Sequence, residues 1–186
     1  MPDNDFGYTA WGKDWVRLAE PLKVTRPDPL LPRARRIARL GEVRLEIDGV
    51  HVRASIHYGA KASVTYLELT PLPAATVQAI AEVIPADALT LADELHTTLR
   101  AAGITVAPVL ANVDCSCSAR TPRCIHLLVT CYTLALRVDE TPWLALDLQG
   151  YRLPRTGEEQ PAGVPAPRWT PLSTLDPMTF FEMPAG

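Results

Sequence analysis

The sequence predicts an α+β fold: an antiparallel β-meander with two helices, followed by a cysteine-rich ββα element and an extended proline-rich tail. Three observations carry this expectation. Apolar and polar residues alternate with period two from Val43 to Tyr58 around an Asp48-Gly49 turn. Apolar residues then recur at three and four over two later stretches. Finally, three of the four cysteines and one of the four histidines fall between Cys115 and His126.

The organisation follows from where proline lies. Four of the 18 prolines fall between Pro21 and Pro32 and seven between Pro154 and Pro184. Residues 1–33 therefore read as an irregular N-terminal arm and 151–186 as an extended tail, with 34–103 as the meander plus two helices and 104–150 as the cysteine-rich element and its helix. Within the tail, Trp169, Leu172, Leu175, Met178, Phe180 and Phe181 are apolar anchors suited to a groove on the body or on a partner.

Val43, Leu45 and Ile47 alternate with charged neighbours as in a half-buried strand, and Asp48-Gly49 favours a tight hairpin because glycine tolerates positive φ. Val50, Val52, Ala54, Ile56 and Tyr58 form the return strand, with His51 and His57 on its polar face, and Val64 to Leu69 form a third. Pro71 and Pro73 end the sheet. Val77, Ile80 and Ile84 have helical spacing; a second helix carries Leu91, Leu95 and Leu99, with Thr90 and Asp93 as a capping pair and Gly103 as its left-handed C-terminal cap. His96 lies near that stripe with no catalytic arrangement around it and reads as structural. Ile104 to Val113 hold two short β-like runs broken by Pro108.

The chemistry is concentrated in Cys115, Cys117, Cys124 and His126, spaced Cys-x-Cys, six residues, Cys-x-His. Three thiolates and an imidazole suit tetrahedral Zn²⁺, and four protein ligands leave no open position for an activated water. The expectation is one structural Zn²⁺. Leu127, Leu128, Cys131, Leu134, Ala135 and Val138 follow at helical spacing, which puts Cys124 and His126 in a helix's first turn and the first two cysteines on a strand or knuckle. Such a metal contributes about 10–16 kcal/mol of apparent binding free energy, which is also folding free energy. Clustered core thiols are the competing reading, but Cys115 and Cys117 lie in a polar, loop-like stretch. Cys131, on the apolar face, reads as core.

Composition narrows the function classes. The 186 residues carry a formal charge of −3, which excludes a uniformly basic surface, and no apolar run is long enough for a membrane span. The N-terminus lacks a secretory pattern, so a cytoplasmic location is expected, with thiols rather than disulfides. Charge is nonetheless segregated: Lys13 to Lys61 hold eleven basic and six acidic residues, whereas Ala62 to Gly150 hold four and nine. Arg33, Arg35, Arg36 and Arg39, with Arg120 and Arg123 beside the cysteines, are the candidate phosphate contacts. A solvated, charge-guarded strand edge is the alternative for the first four. There is no phosphate-binding loop, nucleophile elbow or paired carboxylate motif, so no enzyme is expected.

The pattern Cys-x-Cys-x6-Cys-x-His followed by an amphipathic helix resembles the SWIM zinc finger. The resemblance extends to Trp11-Gly12 and Trp15, the arginine-rich entry into the meander, and Trp143, Leu144, Leu146 and Gly150 beyond the finger, as in small bacterial SWIM proteins that accompany SWI/SNF-type helicases. It implies zinc held by Cys115, Cys117, Cys124 and His126, and a non-catalytic role in binding DNA through the phosphate backbone or in docking on a protein partner such as a SWI/SNF-type ATPase. The chain departs from the family's pattern at Ser118, Ala119 and Arg120, and at Ile125, where related fingers often carry lysine.

Overall fold

The computed structural model describes residues 6–23, 28–59, 61–85, 87–119 and 123–151. They fall within one compact unit, Met1–Leu153; a second unit, Pro154–Gly186, lies outside the described residues, and with it the tail aromatics.

Four strands, β1 (Val43–Asp48), β2 (His51–Tyr58), β3 (Lys61–Leu69) and β4 (Leu110–Cys115), form one antiparallel sheet in that order. The alternation read from the sequence sets the register. Leu45 pairs Ala54 and Ala54 pairs Thr65, so Val52, Ala54, Ile56, Ser63, Thr65, Leu67 and Leu69 share one buried face. His51, Arg53, His57, Tyr66 and Asp114 lie on or along the opposite face, where Arg53 meets Glu46 at 2.8 Å. The hairpin turn is shifted by one residue from Asp48-Gly49: Asp48 pairs His51, leaving Gly49 and Val50 as its central residues. Only Gly49 has positive φ, +57°, the pattern of a type II′ turn with glycine first.

The helices are α1 (Ala10–Ala19), α2 (Leu31–Arg39), α3 (Ala74–Val83), α4 (Asp93–Ala101), α5 (Ile125–Glu140) and α6 (Leu144–Asp147). α5 is the central element. Eleven of its 16 residues are buried, as expected of a helix enclosed on most sides. One side meets the sheet, where the Thr130 and Thr65 hydroxyls hydrogen bond at 2.7 Å; α1 and α2 pack on it as well.

Two expectations change here. The arm expected to be irregular contains α1, whose Trp11, Trp15 and Ala19 recur every four residues and are buried. The prolines flank this helix instead of dissolving it. The Arg33 to Arg39 cluster is likewise helical and not a strand edge: Pro32 sits in the first turn of α2, where a missing N–H costs nothing, and Ala34, Ile37 and Ala38 turn inward.

The pairing expected of Thr90 with Asp93 is also corrected. Ala92 is the N-cap of α4, with no side-chain cap. The Asp93 carboxylate instead accepts from the Ala10 N–H at 2.8 Å, serving the first turn of α1. Gly103 does take the left-handed conformation, φ +74°, after α4. Of the two β-like runs expected over Ile104 to Val113, only the second becomes a strand, and β4 pairs with β3 as the fourth strand of the main sheet.

Candidate metal centre

The sheet edge and the start of α5 meet at the cysteine cluster. Cys115 ends β4, opposite Thr65; Cys117 follows in the adjoining turn. Cys124 is the N-cap of α5, with extended backbone (φ −80°, ψ 164°), and its Sγ accepts from the Leu127 N–H at 3.4 Å. His126 is the second residue of the helix. The spacing has a simple local cause: a Cys-x-His step at a helix start puts a cap side chain and a first-turn side chain on neighbouring positions, while the end of β4 and the turn after it deliver the other two thiols.

One ligand atom from each of the four residues lies within 4.8 Å of all the others. A tetrahedron with Zn–S bonds of about 2.3 Å has edges near 3.8 Å, so the donors fit one ion with a contraction of no more than about an ångström. The donor chemistry fits too: three soft sulfurs and an imidazole, with the Nδ1 of His126 buried and lacking any hydrogen-bond partner. The four residues lie close enough together to bind one metal ion.

The thiols are electrostatically unequal. Burial pushes Cys115 up to about 12. Burial also works upward on Cys117, but the Ala119 backbone N–H and the Cys115 and Cys124 thiols outweigh it, and its pKa is lowered. Burial, aided by the positive charge of Arg33, lowers the pKa of His126 and so favours the neutral imidazole that metals require. Cys131 stands apart, fully buried on α5 and pushed up to about 12, as the core reading requires.

The arginines divide. Arg33, Arg36 and Arg39 are exposed on α2 at positions i, i+3 and i+6, with the Arg39 guanidinium 5.4 Å from the Phe6 ring centroid. Arg35, expected to contact phosphate, turns inward to Glu20 and to the Tyr132 hydroxyl, which itself donates to Glu20. Arg123 donates to the Ala19 carbonyl at 2.5 Å, at the end of α1, and lies 3.8 Å from Asp28. These two guanidiniums hold α1 and α2 onto α5. Arg120 lies outside the described residues.

Two buried polar contacts have no signal in the sequence because their partners are far apart along it. His96 Nε2 lies 2.9 Å from Asp14 Oδ2, under the edge of the Trp11 ring, consistent with its structural reading. Asp139, near the end of α5, accepts from the backbone N–H of Gly7 and Thr9 and from the Thr9 hydroxyl, at 2.6, 2.9 and 2.7 Å. Gly12 lies against this carboxylate: a Cβ there would stand 2.0 Å from Asp139 Oδ1. The Trp11-Gly12 pair thus has a physical basis, an aromatic anchor beside a position where no side chain fits.

No protein-family model matches the chain, and no curated protein or solved structure matches it. Among the described residues, no helix is long and apolar enough to cross a membrane.

Proposed function

We propose that the chain is a non-catalytic, zinc-stabilised accessory protein of the SWIM type that binds the DNA phosphate backbone through α2. The observation that carries this reading is the exposed strip of Arg33, Arg36 and Arg39 on a helix packed against α5, whose first turn supplies two of the metal donors. Zinc held by Cys115, Cys117, Cys124 and His126 would be structural, because the protein fills all four tetrahedral positions. The metal would tie the end of β4 to the start of α5, and α5 in turn positions α2. Contacts from such a strip are sequence-independent and weaken steeply with salt. A cytoplasmic, chromosome-associated setting, with a SWI/SNF-type helicase as partner, accompanies the proposal through the resemblance of the zinc pattern.

The test is fluorescence anisotropy of a labelled DNA duplex across a salt series. Arg36→Glu is the informative variant, because its side chain is exposed and the substitution leaves the metal donors untouched. It should weaken binding to all duplexes alike and lower the salt slope by about one. Absence of binding at low salt, or equal binding by the variant, would overturn the DNA reading.

A protein-docking role is the second reading, favoured by β4. Among the described residues this strand is paired on one side only, and Val109, just before it, and Val113, within it, are exposed. A free strand edge can add a partner's strand.

A further inference from the structure

We propose that the free edge of β1 pairs with β1 of a second copy of the chain, antiparallel about a two-fold axis at Leu45, so that two four-stranded sheets become one of eight. This goes beyond the function proposed above and depends on neither the metal nor DNA.

β1 is an edge strand with an open outer row of backbone groups. Among the described residues it pairs with β2 alone, in a register that runs unbroken from Val43 opposite Ile56 to Asp48 opposite His51. The His57 N–H donates to the Glu42 carbonyl at 3.1 Å, which fixes the alternation: backbone groups of Arg44, Glu46 and Asp48 face β2, and the N–H and C=O of Val43, Leu45 and Ile47 face outward. The side chains of those three residues share the sheet face of Val52, Ala54 and Ile56, yet Val43 and Leu45 are only half-buried and Ile47 is exposed. The helix layer is centred further across, where α5 packs on β3 and β4. Natural sheet edges are commonly guarded by a proline, a bulge or an inward-pointing charge, and β1 has none of the three.

The charges select a second copy of this strand as the occupant. A two-fold axis sets β1 against itself antiparallel, and outward-facing backbone groups must meet outward-facing groups. With the axis at Leu45, Leu45 meets its own counterpart and Val43 meets Ile47, so the two apolar stripes lie side by side. Between these hydrogen-bonded pairs fall the non-hydrogen-bonded ones, where side chains approach most closely, and they set Arg44 against Glu46 twice. Arg44 is exposed, with its Nε 3.8 Å from Glu46 of its own chain, so its guanidinium already stands on the face where the second Glu46 arrives. The cost of this register falls at its ends, where Asp48 meets Glu42 just outside the strand. An axis at Arg44 opposes two arginines; one at Glu46 opposes two glutamates and carries Val43 past the strand end onto Gly49. β4, the other edge, has no such match. The Ser116 N–H donates to the Val64 carbonyl, so the backbone groups of Val113 face outward, and pairing about Val113 sets Asp114 against Asn112 on a strand whose register is broken at Glu68 and Leu69.

A six-residue strand is only about 20 Å long, so the shared edge is small and the association reversible. Sedimentation velocity of the full chain should show the mass rising from one chain toward two between micromolar and millimolar concentration. Over the same range, amide exchange read by NMR should slow at Val43, Leu45 and Ile47. A single-chain mass throughout, or a doubled mass with the new protection on β4 or elsewhere, would overturn the proposal. Arg44→Glu and Glu46→Arg, each shown to be folded by circular dichroism, should each stay a single chain where the wild type pairs. Mixed one to one, they should pair again, because each supplies the charge the other lacks. Pairing of Arg44→Glu as strong as that of the wild type, or a mixture of the two folded variants that stays unpaired, would overturn the register at Leu45. Glu46 also holds Arg53 at 2.8 Å, so if Glu46→Arg does not fold, Arg44→Glu and the exchange pattern decide.

Discussion

Removing the Asp139 carboxylate should be among the most destabilising single changes outside the candidate metal centre. Its side chain is buried and takes three short hydrogen bonds at the start of α1, from Gly7 N, Thr9 N and Thr9 Oγ1, with a longer one from Tyr8 N at 3.4 Å. Hydrogen bonds to a charged group contribute about 1.5–3 kcal/mol each, and the carboxylate also complements the positive end of the helix dipole. The three do not add in full, because the Thr9 contacts are only part-buried and water can replace some of them. We expect Asp139→Ala to cost about 3–5 kcal/mol, a large share of the roughly 5–15 kcal/mol that stabilises a domain. Gly12→Ala should be costly on its own, since the new Cβ would stand 2.0 Å from Oδ1 and displace the same carboxylate. In the Asp139→Ala background the obstacle is gone, and the substitution should become neutral or gain up to about 1 kcal/mol of helix propensity. Urea unfolding of the zinc-loaded wild type, both single variants and the double variant closes the cycle, with m-values checked for constancy. Additive effects, or a loss below about 1 kcal/mol for Asp139→Ala, would refute the argument that this carboxylate fastens α1 to α5.

Metal removal and pH offer further checks. Chelation should lower the melting temperature and open Cys115, Cys117 and Cys124 to a thiol reagent while Cys131, fully buried, stays unmodified until the chain unfolds; labelling of Cys131 along with the others, read by mass spectrometry, would contradict its core placement. At alkaline pH the fold should weaken. Cys131 is pushed from 9.0 to about 12 and Tyr132 is raised above 10.0, in both cases first by burial. Both folded pKa values exceed the unfolded ones, so their stabilising effect is complete below about pH 9 and is lost as pH rises, at up to about 1.4 kcal/mol per pH unit for each group. Urea midpoints measured from pH 8 upward should fall, and Cys131→Ala, less stable at neutral pH, should fall less steeply.

Period-two alternation over 43–58 and 64–69 and the helical stripes of 77–84 and 91–99 rest on local regularities, and they became strands and helices, with Ile84 just past the end of α3 and Leu91 just before the start of α4. The candidate metal donors were legible for the same reason. Cys-x-Cys and Cys-x-His place side chains a few residues apart, and the requirement for soft donors around one ion narrows the reading, so the gathering of all four within 4.8 Å agrees with the spacing. Proline density misled at the N-terminus. It marks breaks between elements, and α1 fits between Tyr8 and Pro21 without containing one.

The sequence alone thus determined the α+β character, the alternating faces of the meander strands and the candidate donor set, because each depends on residues close along the chain. Tertiary structure decided what depends on distant partners: that Arg35 and Arg123 fasten helices instead of facing outward, that Asp93 serves α1 and not its own helix, and that Asp139 and Gly12 form one contact. A charged side chain reads the same in sequence whether it meets solvent, a phosphate or a backbone carbonyl. Only packing around α5, which brings residues more than a hundred positions apart within hydrogen-bonding distance, sets which of these it meets.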